Sequence, residues 1–124
     1  MTHLVTRKLH ALIDYPVALG LIAAPFLLGI GMDNAIAFTL SIATGIAALL
    51  MTAMTDHEAG LLPVLSYRAH LAIDGLVGAS FVMAPLVFGF VGIDLAYYLI
   101  VGATVLAVVA AHKEDDVPVA HPAE

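Results

Sequence analysis

The chain has 124 residues, 62% of them hydrophobic and only 11% charged, which is more apolar surface than a soluble domain of this size can bury. It contains no cysteine, which excludes disulfides, thiolate chemistry, thiolate metal sites and c-type haem attachment. A net charge of -6 argues against a nucleic-acid partner.

The charges leave four long uncharged runs: between Asp14 and Asp33, from Asn34 to Thr55, from Gly75 to Ile93 and from Leu95 to Ala111. A hydrocarbon core of about 30 Å is crossed by roughly 20 helical residues, so each run is of spanning length. Lipid offers no partner to open backbone groups, which makes helices the spanning elements. Residues 1–8 form a polar start. The basic pair Arg7-Lys8 has the look of a signal peptide, but Ala23-Ala24-Pro25 is a poor cleavage context and the first helix is kept. The first transmembrane helix is expected over about 10–31, with Pro16 near its beginning. Gly31-Met32-Asp33-Asn34 reads as a tight turn, with Asp33 or Asn34 capping a second helix over about 35–55. A connector follows, and Ser66 caps a third helix over about 67–90. Gly92-Ile93-Asp94 reads as the second short turn, and a fourth helix covers about 95–112. The tail 113–124 carries Pro118 and Pro122 and reads as disordered. The fold class is therefore all-α: a single polytopic membrane domain over 1–124, a four-helix bundle.

All four basic residues, Arg7, Lys8, Arg68 and Lys113, fall on one face of this arrangement. The positive-inside rule then puts both termini in the cytoplasm of a bacterial inner membrane. Tyr15, Tyr67, Tyr97 and Tyr98 lie near the ends of runs, as interface anchors do. Small residues on every helix suit close packing in lipid.

A shift of sixty residues superimposes the first hairpin on the second, giving an internal repeat over 9–58 and 69–114. His10 meets His70, Asp14 meets Asp74, Pro25 meets Pro85 and Gly29 meets Gly89. With one extra residue in the second copy, Gly31-Met32-Asp33 meets Gly92-Ile93-Asp94. Both copies enter from the same side, so the hairpins are tandem and parallel-related. In this pattern the stretch from Asp14 through Ala24-Pro25-Phe26, and its second copy from Asp74 through Ala84-Pro85-Leu86 to Gly89, resembles the SPW-repeat membrane proteins. Their unit has an aspartate, an apolar run, Ser-Pro-Trp and a glycine. The triplet departs from that pattern here, and the chain has no tryptophan. The resemblance implies a fold and no reaction.

The i,i+4 spacing places His10 with Asp14, and His70 with Asp74, on one face of each helix. Charged groups at such depth are expected to face the bundle interior or pair. His57 and His112 end the second and fourth helices on the same side, so six polar residues are candidates for one cluster. Three readings compete. In the first, each pair is a polar staple in a small structural or accessory protein that self-associates, as a homodimer for instance, or joins a larger membrane complex, with no cofactor and no enzymatic activity; Asp14 also suits a helix cap ahead of Pro16. In the second, the imidazoles, with His10 and His70 as first candidates, hold a transition metal or clamp a haem. In the third, the cluster starts a proton-coupled pathway for a small solute. Pro25 with Gly29, and Pro85 with Gly89, read as helix-shaping pairs that end the first and third helices.

Overall fold

The computed structural model describes residues 6–55, 60–61 and 64–111. Four helices fill almost all of that length: α1 (Arg7–Leu28), α2 (Ala35–Ala53), α3 (Tyr67–Phe88) and α4 (Gly92–Ala110). Each is long and apolar enough to cross a membrane, and the chain is a polytopic membrane protein. There is no sheet among the described residues; an isolated bridge pairs Thr55 with Leu65 in the connector.

The helix ends follow local chemistry. The Thr6 side chain accepts from Leu9 N and starts α1 three residues earlier than expected. Asp14 therefore lies in the body of α1 and caps nothing. Asn34 caps α2, accepting from Ile36 N and Ala37 N, and Ser66 caps α3, accepting from Ala69 N. Gly29 and Gly89 close α1 and α3 at φ 73° and 71°, a conformation that glycine adopts without strain. Pro25 and Pro85 sit in the last turns just before them. The helices thus stop at Leu28 and Phe88, short of Gly31 and Phe90.

The two connections differ. Residues 29–34 join α1 to α2, whereas 89–91 suffice between α3 and α4. The second turn is shorter than the first, the reverse of the alignment that paired Asp33 with Asp94. Asp33 is exposed in its turn, while Asp94 is buried in the first turn of α4.

Within each hairpin one glycine sets the contact. A Cβ at Gly45 would stand 2.8 Å from the Ala18 carbonyl oxygen, and one at Gly102 would stand 2.8 Å from that of Gly78. Side chains larger than hydrogen would force the helices apart, so both hairpins rely on the small-residue packing typical of lipid. The hairpins then face each other. Their apolar contact gathers at the turn end, around Ile30, Phe81, Phe90 and Tyr98, all buried. Tyr98 packs at a tilt against Phe81 and Phe90, 4.6 and 4.7 Å between centroids. It is a core residue and not the interface anchor its position suggested. Tyr67 is likewise buried.

Polar bonds tie the same end together. Asp94 Oδ1 accepts from Gly31 N at 2.8 Å, and the Tyr98 hydroxyl donates to the Ala37 carbonyl at 2.6 Å. Pro25 has no N–H for the carbonyl four residues before it, that of Leu21. The Ser41 hydroxyl donates to that oxygen at 2.7 Å. With its proton so used, Ser41 accepts from the Tyr97 hydroxyl at 2.6 Å. The proline that shapes α1 is thus matched by a serine on α2 and a tyrosine on α4.

Candidate metal centre

At the opposite end, α1 and α3 begin side by side. His10 and Asp14 lie one turn apart on α1, and His70 and Asp74 one turn apart on α3. The hairpins bring the four side chains together. His10 Nε2 lies 3.0 Å from Asp14 Oδ1 and 3.0 Å from Asp74 Oδ2. His70 Nε2 lies 3.1 Å from Asp14 Oδ2 and 3.3 Å from Asp74 Oδ2. Each imidazole meets the carboxylate of its own helix and that of the other hairpin, a reciprocal arrangement that follows from the repeat. Both histidines are buried, at 2% and 1% exposure. The ring of Tyr67 packs edge-on against His10, 5.9 Å between centroids.

One donor atom from each of the four residues lies within 4.8 Å of every other. An ion bound by imidazole and carboxylate at about 2.0–2.1 Å in tetrahedral geometry sets its ligands about 3.3 Å apart. The imidazole–carboxylate separations, 3.0 to 3.3 Å, are of that order, although His10 and His70 approach different oxygens of Asp14. Asp14 Oδ2 is buried and, although close to His70 Nε2, is not aligned to accept a hydrogen bond from it. The cluster is able to coordinate a metal ion.

The orientation of His70 is fixed from outside the cluster. Thr55 Oγ1 lies 2.6 Å from His70 Nδ1 and also bonds to the Met51 carbonyl. A carbonyl only accepts, so the threonine proton goes to Met51 and the threonine oxygen accepts from His70 Nδ1–H. The carboxylates only accept, so in the ion pairs as they stand Nε2 carries a proton too; with a metal bound, Nε2 would be the ring atom left to coordinate it. The Thr55 contact is the support that metal-bound histidines ordinarily have. Thr55 is held by the connector, which folds back on α2 through Val64 N and Leu65 N to the Met54 carbonyl. Nothing in the sequence singled out Thr55, because a lone threonine after a helix belongs to no spacing pattern. For His10 the corresponding Nδ1 is buried and has no hydrogen-bond partner among the described residues.

Of the six residues expected to cluster, His10, Asp14, His70 and Asp74 are brought together; His57 and His112 lie outside the described residues. The two imidazole rings stand 5.6 Å apart, centroid to centroid, with both carboxylates within 3.3 Å of their Nε2 atoms.

Comparison with protein-family models, with curated proteins and with solved structures gives no match.

Proposed function

We propose that this protein binds a divalent transition-metal ion inside a four-helix membrane bundle, through His10, Asp14, His70 and Asp74. The observation that supports this reading is the convergence of two imidazole nitrogens and two carboxylates within 4.8 Å in a buried position. Imidazole with carboxylate suits zinc, iron or nickel. Two carboxylates and two neutral imidazoles balance a divalent ion, so the loaded centre is neutral, which favours its burial. A purely structural staple accounts for the ion pairs. It does not by itself call for the Thr55 support of His70.

In this reading the centre lies at the end of the bundle where both hairpins begin. The positive-inside pattern puts that end in the cytoplasm, with the ion loaded from that side.

The test is elemental analysis of tag-free protein purified in mild detergent. Near-stoichiometric metal is expected, lost in His10→Ala/His70→Ala while helicity and elution volume are kept. A metal-free protein that also fails to retain added Zn²⁺ or Fe²⁺ overturns the proposal.

A further inference from the structure

A cavity of about 540 Å³ lies between the hairpins and is lined by all four helices. The His–Asp cluster forms its polar end. From there it follows α1 from His10 to Leu21 and α4 from Val108 to Tyr97, a length of about 16 Å at 1.5 Å per helical residue. The Tyr97–Ser41–Leu21 chain of hydrogen bonds marks its other end. Small residues make the room: Gly20, Ala43 and Ala47 face it, and a Cβ added at Gly20 would meet nothing within 4 Å. Sites for small molecules span about 300–1,000 Å³, are mostly apolar and have a few convergent polar groups. This cavity has that size and that division.

We propose that the cavity binds an uncharged, elongated apolar molecule that carries one oxygen donor, a carbonyl or a hydroxyl, turned toward the cluster. The partner of that oxygen rests on the metal reading above. Length sets the apolar part: about 16 Å accommodates an extended chain of roughly a dozen methylenes. Charge sets the head. With a divalent ion the centre sums to zero, and a carboxylate head would add an uncompensated charge in an apolar, partly open cleft within the membrane. A neutral oxygen can join the ion's coordination sphere as a fifth ligand, an expansion that catalytic zinc sites sometimes undergo, without that penalty. A fatty alcohol and a lipid-soluble quinone share this chemistry.

The experiment uses metal-loaded full-length protein in lipid nanodiscs. The probes are 1-dodecanol, a decyl-substituted benzoquinone and dodecanoate, with bound probe quantified by mass spectrometry after gel filtration. Stoichiometric binding of a neutral probe is expected, and which of the two binds tighter assigns the head. Dodecanoate should bind at least about tenfold more weakly. Gly20→Leu/Ala47→Phe, which fills the cavity, should lower neutral-probe binding by at least about tenfold with metal content unchanged. Equal binding by the filled variant, or dodecanoate binding as tightly as the neutral probes, overturns the inference. Metal analysis of the same samples separates the two proposals. Metal-loaded protein that binds no neutral probe refutes the cavity site alone. Protein that retains no added Zn²⁺ or Fe²⁺ yet binds dodecanol, and loses it on filling, refutes the metal centre and supports the cavity site.

Discussion

The two ends of the bundle treat buried polar groups in opposite ways. At the turn end each polar group named above has a partner of fitting chemistry. Asp94 meets the Gly31 N–H, Tyr98 the Ala37 carbonyl, and Ser41 the carbonyl that Pro25 leaves open. Aromatic rings pack around these bonds. At the other end, four ionisable side chains crowd together, one buried oxygen is off the line of any hydrogen bond, and an apolar cavity begins immediately beside them. Satisfied polar pairs specify how the hairpins dock. Convergent, incompletely satisfied donors are what a site for an ion requires. The contrast teaches that the hairpins are fixed at one end, while the other end gathers charged donors able to coordinate an ion.

If that division is right, damage at the turn end should cost stability and spare the centre. Among the hydrogen-bond deletions at the turn end, the largest effect is expected for Asp94→Ala. It strips the buried Gly31 N–H of its acceptor, at a cost of about 1–3 kcal/mol, read as a lower unfolding midpoint in detergent. Metal content should stay at the level of the unsubstituted protein. Loss of metal in this variant would mean that the two ends are one cooperative unit and would remove the contrast.

Thr55→Val probes the opposite end. It keeps the shape of the side chain and removes the acceptor for His70 Nδ1–H. Loss of such outer support typically lowers metal affinity by about 10- to 100-fold, measurable by competition with a chelating dye. Stability should also fall, by about 1–3 kcal/mol, because the buried Nδ1–H is left without an acceptor. An unchanged affinity would show that the tautomer of His70 is set by other contacts and that Thr55 is only a packing residue.

The sequence made some of this legible for physical reasons. Hydropathy and segment length located four helices, because lipid imposes one length and one secondary structure on a spanning segment. The i,i+4 pairs His10–Asp14 and His70–Asp74 followed from helix geometry, and the sixty-residue shift made their equivalence visible. The cross pairs, His10 with Asp74 and His70 with Asp14, did not follow, since hydropathy leaves the rotation of each helix open. Asp94 was misread because aligning Gly31-Met32-Asp33 with Gly92-Ile93-Asp94 assumed equal turns. The true offset falls to fifty-seven residues after the turn, as the starts of α2 and α4 show. Tyr97 and Tyr98 were read as interface anchors, because position in a run does not distinguish a ring that faces lipid from one that faces the partner hairpin.

Tyr98→Phe sharpens the comparison with the smallest change. It deletes one hydroxyl and keeps the ring that packs on Phe81 and Phe90. The Ala37 carbonyl loses one of its two partners, since it also faces the helix N–H four residues on. Little desolvated polarity is left exposed, and the expected cost is about 1 kcal/mol. Tyr98→Ala, by contrast, empties the centre of the aromatic packing and should cost about 3–5 kcal/mol. A phenylalanine variant as damaged as the alanine variant would mean that the hydrogen bonds, and not the rings, fix the turn end. In that case both ends of the bundle would depend on polar contacts, and their difference would lie in satisfaction alone. A mild effect, measured as a small drop in unfolding midpoint with metal retained, would leave ring packing as the force that holds the hairpins in register over the metal centre.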